Sequence, residues 1–171
     1  MTPRKFSIHV KTFYKKNGRH DLPWRKQCTP YRVIVSELML QQTQVDRVIP
    51  FFKRWMKRFP DWRLLSEASS HDVLSVWKGL GYNSRALRLQ KLAQIIQKNY
   101  KGNVSLKNIL AFEKRKNWQQ KNLKSELSAE NIAHIFQKFP GIGPYTAGAI
   151  LAFAFDIPYP CIETNIRRVY I

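Results

Sequence analysis

With 171 residues, 44% of them apolar, the chain can bury the core of one domain, or of two small ones sharing a groove. Its 30 Lys and Arg against 11 Asp and Glu give a formal charge of +19, spread over many segments, which points to a polyanion; nucleic acid comes before an anionic membrane, because each phosphate neutralised releases condensed counterions. No apolar run reaches the ~18 residues of a membrane span, and MTPRKFSIHVKTFYKK lacks the apolar core of a secretion signal, so a soluble intracellular protein is expected, cytoplasmic or on the nucleoid in a bacterium.

Helical periodicity runs through almost the whole chain. A first helix is expected from Arg4 to Asn17, with Phe6, Val10, Phe13 and Tyr14 at helical spacing and Gly18 as its end. An irregular stretch, RHDLPWRKQCTPY, follows from Arg19 to Tyr31. The next helix starts near Val33, carries Ile34, Leu38, Val45 and Val48, and is ended or kinked by Pro50. Phe51, Phe52, Trp55, Met56 and Phe59 then form an apolar stripe with Lys53, Arg54, Lys57 and Arg58 opposite, the pattern of core packing plus a solvated face.

Ser70 has the hydroxyl to cap a helix through Trp77 that stops at GLGYNS. A further helix from Arg85 to Tyr100 groups Leu89, Leu92, Ala93 and Ile96 and leaves Arg85, Arg88, Lys91 and Lys98 for solvent or phosphates. Residues 107–131, rich in Lys, Asn, Gln and Glu, read as an insertion. A helix from Ala129 to Lys138, a tight turn at FPGIGP and an apolar helix from Tyr145 to Phe155 complete the pattern. Neither strand alternation nor a GxxxxGKS or GxGxxG pattern is present, so the fold class is all-α.

Two motifs carry chemistry. In FPGIGPYTAGA, glycines two apart allow a tight turn whose backbone approaches a ligand closely, and Pro144 opens a helix whose N-terminal N–H groups suit an anion. An ordinary αα-hairpin would have the same outline; the charge balance favours a phosphate grip. In SELMLQQTQV, Glu37 lies among core-forming residues. It is either a helix-surface glutamate or a carboxyl against apolar walls, whose raised pKa would keep it a proton donor near neutrality.

Four motifs in order, LPWR at Leu22–Arg25, TPYRVIVSELMLQQTQV from Thr29, GLGY at Gly79–Tyr82 and FPGIGPYTAGAI from Phe139, make the chain resemble the MutY family of adenine DNA glycosylases from about residue 6 to 171. The resemblance implies a two-lobed, all-α helix-hairpin-helix fold with its C-terminal part truncated. Residues 1–30 would supply the first helix and base-pocket loop of an incomplete second lobe, and residues 31–171 a helical-barrel lobe with its hairpin at 139–149. The implied activity is monofunctional hydrolysis of the N-glycosidic bond of adenine opposite guanine or 8-oxoguanine. The partner is duplex DNA with a mismatch or an oxidised guanine, bound by a monomer without a membrane.

On this resemblance Glu37 matches the proton donor to the adenine ring, Tyr145 an active-site hydroxyl, and Asn165 the residue that positions a neighbouring carboxylate. Gln42 and Tyr82 match side chains that wedge into the base stack, whose insertion offsets the energy lost when adenine flips out. Thr43, Gly141, Gly143 and Thr146 match further DNA contacts, and Leu22, Trp24 and Arg25 part of the base pocket. A tyrosine rather than a lysine at 145 implies no Schiff-base lyase activity.

The chain departs from the family pattern in PCIETNIRR, Pro160 to Arg168, where Glu163 and Thr164 stand in place of an aspartate and a common glycine. The extra methylene moves the carboxylate by ~1.5 Å. Glu163 then performs the role in an adjusted pocket, or the enzyme is slow or takes another substrate, or the protein binds without cutting. Asp156, before Ile157-Pro158, reads as a turn residue rather than a replacement carboxylate. A thymine mismatch glycosylase shares the hairpin and tyrosine and is the rival enzyme. Many relatives hold a four-cysteine iron–sulfur cluster; Cys28 and Cys161 are too few for one, so no cofactor or metal is expected within these residues, and both thiols are expected to be free.

Overall fold

The structure is a computed structural model that describes residues 2–116, 128–162 and 164–170, with the side chains of 114–116 and 170 left aside. Ten helices make up the secondary structure of the described residues, in the order α1 Pro3–Asn17, α2 Pro30–Leu40, α3 Val45–Arg58, α4 Trp62–Glu67, α5 Ser70–Trp77, α6 Ser84–Tyr100, α7 Leu106–Lys116, α8 Ala129–Gln137, α9 Pro144–Ala154 and α10 Thr164–Tyr170. The fold is all-α, as the periodicity predicts.

Side-chain caps set many of these starts. Thr2, Thr29, Asp61, Ser69 and Ser128 each accept the backbone N–H three residues on, taking one of the donors a helix N-terminus leaves unpaired. Ser69 therefore does the capping expected of Ser70, at 3.1 Å from Asp72 N.

The single helix expected from Val33 to Pro50 is two helices. The chain breaks at Gln41–Gln44, where Gln42 turns into the left-handed region at φ +55°, and it restarts as α3. Pro50 lies inside α3 and does not end it. The missing N–H removes only the bond to the Asp46 carbonyl, while the apolar stripe keeps the helix on the core: Phe52, Trp55 and Phe59 are all buried.

The core gathers around α2, which contacts both α6 and α9. α2 packs on α3, α6 and α9; α4, α5 and α7 pack on α6; α8 pairs with α9. Ile34 and Leu38 of α2, Leu89, Leu92 and Ile96 of α6 and Ile150 and Leu151 of α9 are sealed from solvent. Trp55 sets its ring edge-on to Trp77, centroids 5.5 Å apart, joining α3 to α5. The segment expected as an insertion begins as packed structure: α7 buries Ile109, lays Phe112 on Tyr100 and pairs Glu113 with Lys138 at 3.1 Å. Residues 117–127 of that segment lie outside the described residues.

α1 behaves differently from the rest. Its stripe is present at helical spacing, yet Phe6, Val10, Phe13 and Tyr14 are all exposed and none of its residues is buried. Tyr14 connects it to the irregular loop that follows, through Arg25 Nη1 at 3.3 Å from the hydroxyl and an edge contact with His20.

Small residues along α9 permit close approach. A Cβ added at Gly148 would lie 2.6 Å from the Pro160 carbonyl oxygen and 3.4 Å from Cys161 Sγ, so a bare Cα is what lets residues 159–161 cross the helix. After α9, Asp156 adopts φ +54° and the Ile157 N–H bonds back to the Leu151 carbonyl. Asp156-Ile157-Pro158 is thus the helix-ending turn its sequence suggests.

Candidate active site

Helix α2 carries Glu37 on its last turn, half-buried, on the side that meets α9 and the loop before α2. That loop is fixed by its own residues. Leu22 and Trp24 are buried, Trp24 standing edge-on to Phe52 with centroids 5.4 Å apart. Arg32 Nη2 donates to the Pro23 carbonyl at 2.9 Å while its guanidinium covers the Phe52 ring. Arg25 Nη1 donates to the Arg19 carbonyl at 3.0 Å.

These elements enclose a cavity of about 190 Å³, to which Leu22, Trp24, Arg25, Glu37, Tyr145 and Phe153 all contribute. It is below the roughly 300–1,000 Å³ of sites for drug-sized ligands, a size for one small ring system. Five residues expected at the site from sequence, drawn from three distant segments, therefore meet around one space. Its lining is mixed: Leu22, Trp24, Val33, Leu40, Val45 and Phe153 are apolar, Arg19 and Arg25 bring positive charge, and Glu37 and Tyr145 bring a carboxyl group and a phenol.

A second, more open cleft of about 460 Å³ shares Glu37 and Tyr145 and runs out to Gln42, Ile162, Thr164 and Arg167. Thr164 and Arg167 lie on α10, whose first turn also carries Asn165. Glu163 lies outside the described residues. Its neighbours reach the same place: the Cys161 thiol is pushed up first by burial and then by the negative charge of Glu37, so this strand of chain runs within electrostatic range of the α2 carboxylate.

The hairpin joins α8 to α9. Gly141 adopts φ +85°, closed to most side chains, and a Cβ there would touch Leu38 of α2 and the stem of Arg88 on α6. Gly143 is the N-cap of α9 with no side-chain cap, and the space where a Cβ would stand is empty. The backbone at the helix start is therefore open to an approaching group. Thr146, expected among DNA contacts, is only 4% exposed, its side chain packed inside the first turn of α9.

Gln42 and Tyr82 are both exposed, and both are non-glycine residues held at positive φ, +55° and +50°. Thr43 is engaged internally: its hydroxyl donates to the Gln41 carbonyl at 3.3 Å and accepts from Arg85. Arg85 corrects the expectation that it faces solvent or phosphates, because it is 4% exposed and turned inward between α2 and the Gly79–Tyr82 loop. Arg32 and Arg85 are the positioning groups that the sequence does not single out; among 30 basic residues nothing marks Arg85 as buried or Arg32 as half-buried.

Among the described residues no three His, Cys, Asp or Glu side chains gather as a metal site would require. Cys28 and Cys161 are both free, and two thiols do not fit a four-cysteine iron–sulfur cluster. No described helix is long and apolar enough to cross a membrane.

The sequence profile of the HhH-GPD superfamily base excision DNA repair proteins matches residues 35–171. The adenine DNA glycosylase of Buchnera aphidicola subsp. Acyrthosiphon pisum is 39% identical over 171 residues, covering 100% of this chain and 42% of the relative. That of Rattus norvegicus is 36% identical over 172 residues, covering 96% of this chain and 28% of the relative. The chain thus spans less than half the length of these relatives. Among solved structures, a thermostable thymine-DNA glycosylase superposes with a TM-score of 0.76 at 22% identity, covering 97% of this chain and 65% of the other. A non-covalent endonuclease III–DNA complex superposes with a TM-score of 0.69 at 17% identity, covering 100% and 68%. At those identities the likeness establishes the fold, and the profile establishes descent: the chain, similar over its length to adenine DNA glycosylases, belongs to the HhH-GPD superfamily of base excision DNA repair proteins.

Proposed function

We propose that this chain carries the catalytic centre of a monofunctional adenine DNA glycosylase that acts, as a monomer inside the cell, on adenine opposite guanine or 8-oxoguanine in duplex DNA. The observation that carries the reading is the shared cavity: Glu37 and Tyr145 face a space of one ring system walled by Leu22 and Trp24 and opening towards Gln42. The hairpin at 139–149 and the adjoining Arg88 would hold a backbone phosphate at the start of α9, a contact indifferent to sequence. Gln42 and Tyr82 would fill the stack that the everted adenine leaves.

In the pocket, Glu37 donates its proton to N7 of adenine, and the C1′–N9 electron pair leaves with the base. The sugar passes through an oxocarbenium-like state that an adjacent carboxylate stabilises. Glu163, positioned by Asn165, is the candidate for that charge. Water then adds to C1′ and releases a proton, leaving an abasic site and free adenine. Tyr145 lines the pocket and offers no amine for a Schiff base.

Single-turnover base release from duplexes with adenine opposite guanine or 8-oxoguanine, and thymine opposite guanine, tests this. The parent chain releases adenine and leaves the backbone uncut; Glu37→Gln slows release by about 10²–10⁴-fold, the usual share of general acid catalysis, with duplex affinity retained. Glu163→Asp raises the rate if the longer side chain misplaces the carboxylate. Release of thymine in place of adenine, or an undiminished rate in Glu37→Gln, overturns the proposal.

A further inference from the structure

Arg85 makes more contacts than one side chain needs for packing. Its Nη1 donates to the carbonyls of Leu38 and Met39, each at 3.0 Å, and to that of Gln41. Nη1 and Nη2 both reach Thr43 Oγ1, at 3.4 and 3.3 Å, and Nη2 donates to the Gly81 carbonyl at 3.0 Å. The faces of the same planar group serve Trp77 at 5.5 Å and Tyr82 at 5.2 Å.

The acceptors belong to two separate stretches of chain. Leu38 and Met39 are in the last turn of α2, where carbonyls lack helical partners, and Gln41 and Thr43 flank Gln42. Gly81 precedes Tyr82 in the other loop. Gln42 and Tyr82 are held in a left-handed conformation that side chains adopt only when their surroundings over-determine it. Arg85 is the group that supplies those surroundings to both at once. A lysine, a point charge with no planar face, could not hold both loops and cover both rings.

We propose that Arg85 is a positioning residue that fastens the Gln42 turn and the Tyr82 loop into one rigid wedge, so that the two side chains enter the base stack in fixed register and act together. This rests on the reading of Gln42 and Tyr82 as stack-filling residues. Glu37 lies on the same last turn of α2, so the fastening also sets the wedge relative to the pocket.

The test uses the full chain and a duplex carrying 2-aminopurine, whose fluorescence rises on unstacking, in place of the target adenine. Arg85→Lys is expected to lower the everted fraction and the single-turnover rate by about tenfold while leaving affinity for a fully paired duplex within about twofold. A double-mutant cycle of Gln42→Ala and Tyr82→Ala should be non-additive by about fivefold or more in the parent and additive in the Arg85→Lys background, a change that general loosening of the fold would not produce. If Arg85→Lys fails to melt cooperatively, Thr43→Val, which removes the acceptor shared by both terminal nitrogens together with the hydroxyl's own bond to the Gln41 carbonyl, is expected to lower eversion by about threefold. Full eversion in the folded variants, or coupling that survives unchanged, overturns the proposal. A parent protein that does not unstack 2-aminopurine removes the wedge reading itself and this inference with it; a parent that does, with variants that match it, refutes the inference alone.

Discussion

Gly148→Ala separates the geometry of the site from the stability of the fold. The added Cβ would stand 2.6 Å from the Pro160 carbonyl oxygen, against about 3.3 Å for the closest ordinary C···O contact. Because the obstacle is backbone, the 159–161 segment must lift off α9 by on the order of 1 Å, and with it Ile162 and Thr164 at the edge of the cleft. Misplacement of that size costs about a hundredfold in rate. Stability should change far less: alanine gains roughly 1 kcal/mol of helix propensity over glycine, and overpacking costs about 1–3 kcal/mol, a net loss of about 0–2 kcal/mol. A thermal melt should therefore move by a few degrees while single-turnover adenine release falls by about two orders of magnitude and duplex affinity, which the proposed function assigns to the hairpin, holds. A folded Gly148→Ala protein releasing adenine within threefold of the parent rate would refute the idea that the crossing over α9 positions the second carboxylate.

Two further outcomes follow from the titrating groups. The Cys161 thiol, raised by burial and by Glu37, should alkylate more slowly at neutral pH than the exposed Cys28; in Glu37→Gln its pH profile should move down, since one of the two causes is gone, and an unmoved profile would mean that the carboxylate and the thiol are not neighbours. Tyr31 and Tyr100 both hold their protons more tightly than in an unfolded chain, Tyr100 up to about 12, through burial first. Their contribution is complete below the unfolded value near 10 and is lost as pH rises above it, so alkaline melts should lose stability from about pH 10 upward. Tyr31→Phe should flatten that fall and, by leaving the Phe59 carbonyl and Trp55 Nε1 without the phenol, cost about 1–3 kcal/mol at neutral pH.

Much of this architecture is legible in the residues because local signals and burial agree. Ser128 before Ala129, Pro144 after Gly143, and the stripe ending at Phe59 each mark an element in the place where it occurs. The break at Gln42 is not legible, because its cause is a distant guanidinium that holds a left-handed glutamine; Gln41-Gln42-Thr43-Gln44 carries no glycine or proline to announce a turn. Arg85 is hidden for the same reason, since its partners are carbonyls contributed by another helix. The pocket residues at 22–25, 37 and 145 are legible only as members of motifs; their convergence on one cavity is a property of packing. Exposure of α1 goes against its amphipathic pattern, because spacing shows that a helix has an apolar face but not what covers it.

The cavity draws its walls from opposite ends of the chain, Leu22 and Trp24 early and Tyr145 and Phe153 late. During synthesis the loop and Glu37 emerge first and stay without their opposite wall until α9 has been made and docked. Contacts so distant in sequence close late and slowly, after the loop entropy between them has been overcome. Under the proposed function, base-cleaving competence should therefore arise only once α9 has docked, and chains synthesised or melted short of that point, although already strongly cationic, would associate with nucleic acid without cutting it.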